Sequence, residues 1–180
     1  MPNYRRAREG NTYFFTVVTY QRRPILCLEQ SRALLRESVA KVRQAHPFFV
    51  EAWVLLPDHT HCIWRLPEGD MKYSLRWALI KAEFTKGSRG WLGRPQGNTS
   101  RQKHGEATVW QRRFWEHMIR DDRDFSAHCD YVHYNPVKHG LVSAPGEWRY
   151  SSFHRFVEEG LYPSDWGAVP IEIAEGVGSE

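Results

Sequence analysis

An α+β fold, one antiparallel sheet with helices on one face, is what this sequence predicts, on three observations. Short runs dense in β-branched and aromatic residues alternate with longer stretches whose apolar residues recur at helical spacing. These elements follow one another as β-α-β-β-α, with a further strand and helix beyond a polar break. The length of 180 residues fits one domain with a real core, and no repeat or second unit is visible.

The first strand is Thr12–Tyr20, T-Y-F-F-T-V-V-T-Y. Arg5, Arg6 and Arg8 precede it, and Arg22 and Arg23 follow it. These cations either touch phosphates or lie as solvated strand ends. A helix is expected from about Ser31, its N-cap, to Ala45, because Leu35, Val39 and Val42 repeat at i, i+4 and i+7. Arg32, Arg36, Lys41 and Arg43 fall largely off that stripe and read as a wet face. Pro47 stops the helix.

Phe48–Leu56 and Thr60–Leu66 read as two strands joined at Pro57-Asp58. Ser74 to about Phe84 is helical, with Leu75, Ala78, Leu79 and Ala82 expected inward and Arg76 outward. Residues 87–105 break every periodicity and carry Arg89, Arg94, Arg101 and Lys103 without an acid, as a flexible basic loop would. A strand near Phe114–Ile119 completes the ferredoxin-like β-α-β-β-α-β order. Asp121 or Asp122 then caps a helix expected to end near Tyr134, since Pro136 disfavours helical geometry at Asn135. Phe125, Cys129 and Val132 form its buried stripe, and His128, Tyr131 and Asn135 share an adjoining face.

Composition narrows the function classes. Charged residues make up 26% and hydrophobic ones 41%, ordinary for a soluble globular chain, whereas the aromatic share of 14%, with eight Trp, is high. The net charge of +4 permits a polyanionic partner. Cys27, Cys62 and Cys129 are odd in number and in no metal-type spacing, as in a reducing cytoplasmic setting. No apolar leader or membrane-length window is present, so a cytoplasmic protein without a membrane partner is expected.

Three segments carry chemistry. In L-L-P-D-H-T-H-C-I-W, His59 and His61 sit one residue apart, so a strand points both to one face, where they can share a divalent cation. Alone, a His-x-His is as well explained by chance. In T-V-W-Q-R-R-F-W-E-H-M-I, Trp110, Arg112, Arg113 and Trp115 mix indole and guanidinium, the pairing that stacks and neutralises single-stranded nucleic acid, although both Trp also suit a core. The third is D-Y-V-H-Y-N-P-V-K-H-G. With His59 and His61 on an ion and Asn135 as a candidate oxygen ligand, Tyr131 becomes a candidate nucleophile toward a phosphodiester.

In that order, these three blocks resemble the REP-associated tyrosine transposases, domesticated relatives of the single-tyrosine transposases of the HUH endonuclease superfamily. The similarity runs from the basic N-terminus through G-L-Y-P-S-D-W. It implies a ferredoxin-like fold followed by a helix carrying the tyrosine. It also implies a divalent metal, magnesium or manganese, and cleavage and rejoining of single-stranded DNA beside repetitive extragenic palindromes that fold into hairpins. Carried over by position, the metal pair is His59 and His61, and the nucleophile is Tyr131 rather than Tyr134. The amide four residues on is Asn135, shorter by one methylene than the glutamine common in related transposases, so it ligates directly or through a water. Thr60 stands where the superfamily usually has a bulky apolar residue. Arg5, Arg6, Arg8, Trp110, Arg112, Arg113, Trp115 and Lys138 are the expected DNA contacts. One domain is expected over 1–166, with loop 87–105 inserted, followed by a flexible tail over 167–180. The alternative is a hairpin-binding protein that no longer cuts and regulates or organises the chromosome. Monomer and dimer both remain open.

Overall fold

The structure is a computed structural model that describes residues 11–92, 109–171 and 177–178. Four strands form one antiparallel sheet in the order β2-β3-β1-β4: β1 Thr12–Val18, β2 Phe49–Leu55, β3 His59–Arg65 and β4 Trp115–Met118. The helices are α1 Glu29–Ala45, α2 Tyr73–Ser88, α3 Asp122–Lys138 and the short α4 Phe153–Glu158. The expected α+β order and antiparallel sheet are those observed.

β1 is buried along its whole length because both faces of the sheet are covered. On one face α1 and α2 pack over Tyr13, Phe15, Val17, Cys62 and Trp64. Aromatic rings dominate there: Trp64 stacks on Trp77 of α2 at 4.3 Å and 17°, and Phe48 meets Trp64 at 4.1 Å. Offset aromatic pairs of this kind add roughly 0.5–1.5 kcal/mol each beyond their buried area. Much of the aromatic surplus therefore builds core. On the other face α3 brings Phe125, Cys129 and Val132 against Phe14, Val54 and Ile63. The two faces follow from strand alternation, since neighbouring residues of β1 point into different layers.

Several boundaries and one helix phase differ from the sequence expectation. α1 begins at Glu29, two residues before Ser31, which is buried within the helix. α2 runs through Gly87 and Ser88, so the irregular segment begins later than 87; residues 93–105 of the expected basic loop lie outside the described residues. Gly87 lets α2 approach Leu34 of α1, where a Cβ would press on the leucine methyls. The α2 face is rotated from the expected one: Arg76, Trp77, Ile80 and Phe84 are buried, while Leu75, Ala78 and Ala82 are exposed. Arg76 turns inward because its guanidinium is fully engaged. It donates to both Asp70 carboxylate oxygens, at 3.1 and 2.7 Å, and to the carbonyls of His46, Pro47 and Lys72. A planar five-donor group can satisfy this many acceptors where an apolar residue cannot.

Pro136 does not end α3, which continues to Lys138. Proline in the last turn forfeits one backbone donor, and the chain recovers with His139 N–H on Asn135 O at 3.0 Å. Gly140, at φ +66°, then takes the left-handed conformation that closes a helix. At the other end Asp121 is the N-cap, accepting from Asp124 N–H at 2.8 Å.

Replacing Arg76 by Met leaves two interloop carbonyls and Asp70 without their donor. Arg76→Met is expected to cost about 2–4 kcal/mol in urea unfolding, whereas Leu75→Ala on the exposed side should cost less than about 1 kcal/mol.

Candidate functional site

The site lies where the start of β3 meets the second half of α3. His59 and His61 are the first and third residues of β3 and leave the sheet on the α3 side, with ring centroids 4.9 Å apart. Each imidazole is held from behind. The Asp58 carboxylate lies 2.6 Å from His59 Nδ1, and Thr16 Oγ1, directly across the ladder, lies 2.9 Å from His61 Nδ1. With Nδ1–H donated in each case, both lone pairs fall on Nε2, and both Nε2 atoms are buried. Burial alone would raise the Asp58 carboxyl, but hydrogen bonds from His59 and Arg22 outweigh it and hold it below its ordinary value. Arg22, read as a phosphate contact or a solvated end, pairs with Asp58 at 3.2 Å. Thr60, between the histidines, points to the opposite layer and donates to Val54 O at 2.7 Å, which satisfies a polar group where a bulky apolar one was expected.

From α3, Tyr131, Asn135 and His139 form one i, i+4, i+8 row. Tyr131 meets His61 edge-on at 5.1 Å, and His139, just past the helix end, meets His59 at 4.9 Å. Asn135 lies between them on that row. Its amide oxygen and nitrogen are both buried, and neither has a hydrogen-bond partner among the described residues. An unsatisfied buried amide costs about 1–3 kcal/mol. The donor set, two imidazole nitrogens and an amide oxygen, suits a divalent ion of intermediate hardness. Asn135 is thus the observation by which these residues fit a metal.

The Tyr131 hydroxyl donates to Gly178 O at 2.9 Å and accepts from Lys138 Nζ at 3.3 Å, whose ammonium lies 4.8 Å over the ring centroid. A Cβ at Gly178 would overlap the Tyr131 ring, so only glycine allows the chain so close. The expected C-terminal tail thus returns to the site at this point.

A second cluster adjoins the first. His117 of β4 lies 2.8 Å from Asp124 of α3, and His128 Nδ1 lies 3.1 Å from the other Asp124 oxygen. The two imidazoles stack at 4.6 Å, and His128 packs on Phe14, which itself stacks on His61. Among the described residues this is a His/Asp group compact enough to hold a metal ion. Burial lowers the His128 imidazole, which favours its neutral form. Asp124 is raised by burial but lowered more by its donors, with His117 first among them.

The expected DNA contacts divide. Trp110 is 6% exposed and packs on Phe84, so it is core and its indole is withheld from bases. Trp115 is half-buried against Phe14, with its ring stacked on His117. Arg112, Arg113 and Lys138 are exposed, while Arg5, Arg6 and Arg8 lie outside the described residues. The cysteines are free; Cys62 and Cys129 are buried and Cys27 half-buried. The sequence held a signal for Asp58, a carboxylate directly before a histidine pair. It held none for Thr16, His139 or the Asp124 pairing, which depend on strand register and helix placement.

A helix-borne tyrosine laid over a His-x-His strand of a four-stranded antiparallel sheet defines a tyrosine-transposase-like protein. No protein-family model matches the chain. Known proteins do: it is 43% identical over 177 residues to the REP-associated tyrosine transposase of Escherichia coli K12, covering 98% of this chain and 97% of that one. It is 44% identical over 171 residues to a putative REP-associated tyrosine transposase of Haemophilus influenzae, covering 94% and 96%. The solved structure of a REP-associated tyrosine transposase bound to a REP hairpin superposes with a TM-score of 0.71 at 40% identity, covering 99% of this chain and 100% of that one. The chain belongs to the REP-associated tyrosine transposase family. No helix among the described residues is long and apolar enough to cross a membrane.

Because the native Asp124 carboxyl sits below its ordinary value, its contribution to stability is complete above the unfolded carboxyl pKa and is lost as pH falls through the native one. Asp124→Asn is expected to lower the urea midpoint at pH 7 and to flatten the loss of stability below about pH 4.

Proposed function

We propose that this protein is a metal-dependent endonuclease and strand transferase for single-stranded DNA, acting in the cytoplasm beside palindromic hairpins of the REP type. The reading is carried by one observation: the buried, unsatisfied Asn135 amide lies on the helical row between Tyr131 over His61 and His139 over His59. His59, His61 and Asn135 would hold a magnesium or manganese ion, which when bound supplies positive charge for a phosphodiester oxygen.

The chain's own residues do the rest. Tyr131 is the nucleophile: its oxygen forms a bond to phosphorus and gives up its proton, while the bond to the leaving sugar oxygen breaks and that oxygen takes a proton. Lys138, donating to the phenol oxygen, stabilises negative charge developing there during attack. The phosphotyrosine conserves the bond energy, so a second sugar hydroxyl can reverse the step on a new strand. Asp58 and Thr16 fix the imidazoles as Nε2 ligands and belong to the machinery as positioning residues. Arg112, Arg113, Trp115 and Lys138, with Arg5, Arg6 and Arg8, are proposed DNA contacts. The family relationship and the hairpin in the homologous complex support this reading.

One observation favours the second reading, a hairpin-binding protein that does not cut. The Gly178 carbonyl occupies the hydrogen bond of the Tyr131 hydroxyl that a phosphodiester would approach. Such a protein binds hairpins equally well with chelator present and forms no adduct.

Incubation with a labelled hairpin oligonucleotide and manganese separates the readings. A covalent DNA adduct is expected with the wild type and none with Tyr131→Phe; cleavage that survives the substitution removes Tyr131 from the nucleophile role. Removing the carboxylate behind a metal-bound imidazole typically weakens the metal about 10–100-fold. Asp58→Ala should weaken manganese binding by that amount in calorimetric titration, and unchanged affinity would exclude ion binding through His59.

A further inference from the structure

The charged face of α1 is not simply a wet surface. Arg32, Arg36 and Arg43 recur on one side of this helix and, together with Arg149, line a cavity of about 380 Å³ between α1 and the border of the sheet. That volume is within the roughly 300–1,000 Å³ of small-ligand clefts. The border is itself built: Leu55 N–H donates to Tyr150 O at 2.8 Å and Ser152 N–H to Trp53 O at 2.8 Å, so residues 150–152 flank β2 as an added edge.

Four guanidiniums converge here, and the described residues lining the cavity include no carboxylate. Arg32 and Arg43 are steadied through Nε by the carbonyls of Cys27 and Phe48, at 3.1 and 3.0 Å. Those bonds leave the terminal nitrogens of the fork for another acceptor. Arg36 and Arg149 are exposed and make no ion pair with a described residue. Gathering like charges is unfavourable unless an anion compensates them, and guanidinium forks match phosphate oxygens in geometry. The cavity also offers rings. Tyr150 lies 4.5 Å under the Arg32 guanidinium with Arg149 at 6.0 Å, and half-buried Trp53 lines the same space. Phosphate forks beside aromatic and guanidinium planes are the chemistry of an unpaired nucleotide.

Position selects which nucleotide. Leu55, in the cavity wall, is the ladder partner of Thr60, the residue between His59 and His61. The cavity therefore adjoins the candidate reaction centre across one strand pair, on the other layer of the sheet.

We infer that this cavity holds an unpaired nucleotide of the DNA strand flanking the hairpin, with Arg36 and Arg149 on its phosphates and Tyr150 beside its base. The inference rests on the proposed hairpin-binding function. It assigns DNA recognition to α1 and residues 149–152, outside the segments that the sequence motifs pointed to.

Fluorescence anisotropy with full-length protein in chelator tests it, using a hairpin oligonucleotide that is blunt or carries a single-stranded flank of about six nucleotides. The flank should tighten wild-type binding about tenfold. Arg36→Glu and Arg149→Glu should abolish that gain and leave the blunt hairpin bound as before, which also shows that the variants fold. For the flanked probe, the slope of log affinity against log salt should fall by about 0.7 for each phosphate that a variant no longer neutralises. A flank gain that survives both substitutions overturns the inference, as does equal weakening of blunt and flanked probes. If dTMP alone binds in an Arg36-dependent way and the flank adds nothing, the cavity takes a free nucleotide and the DNA assignment fails. Absence of wild-type binding to the blunt hairpin sinks the underlying function instead.

Discussion

The ladder between β1 and β3 is the constraint on which everything else depends. Seven residue pairs, from Thr12 opposite Arg65 to Val18 opposite His59, fix which side chains share a layer. With a period of two, a slip of one residue would send His59 and His61 under α1 and α2 and turn Thr60 and Cys62 toward α3. The slip is opposed from both sides, because Phe15 and Trp64 fill one layer and Phe14 and Ile63 the other. The same alternation that buries the core therefore aims the imidazoles, and the site needs no separate scaffold.

That economy extends to the hydrogen bonds. Thr16 faces His61 because the ladder pairs them, and Asp58 reaches His59 because it ends the tight connection from β2. Thr19 locks that connection by donating its hydroxyl to Asp58 O and its backbone N–H to the same carbonyl. Gln21 and Arg22, with φ of 56° and 49°, adopt left-handed backbone that costs non-glycine residues about 1–2 kcal/mol each. This strained turn carries Arg22, whose guanidinium anchors Asp58. Local strain is thus coupled, through one carboxylate, to the orientation of an imidazole.

Much of this was legible in the sequence, for physical reasons that also mark where legibility ended. β1 and β3 announce themselves because strands buried on both faces are continuously apolar or aromatic. The face shared by His128, Tyr131 and Asn135 follows from helical spacing alone, and all three side chains are buried on it. The phase of α2 does not follow from its spacing because Arg76 counts as polar; only tertiary placement of Asp70 and two carbonyls makes a buried guanidinium favourable. Trp110 looks like a base-stacking residue because arginines follow it, but the chain around it bridges to Thr19 and turns the ring toward Phe84. The α1 arginines look solvated because nothing in their spacing reveals a segment more than a hundred residues away closing over them.

That closing segment matters beyond the cavity it completes. The border strand of an open sheet exposes amide and carbonyl groups on which another chain can template itself. At Trp53 and Leu55 these groups are already spent within the molecule: Trp53 N–H on Ser152 Oγ, Trp53 O on Ser152 N–H and Leu55 N–H on Tyr150 O. Leu55 O is taken as well, by the Trp148 indole N–H at 2.9 Å. Two copies could join sheets along this rim only after breaking those bonds. The chain thereby carries its own guard against edge-to-edge aggregation.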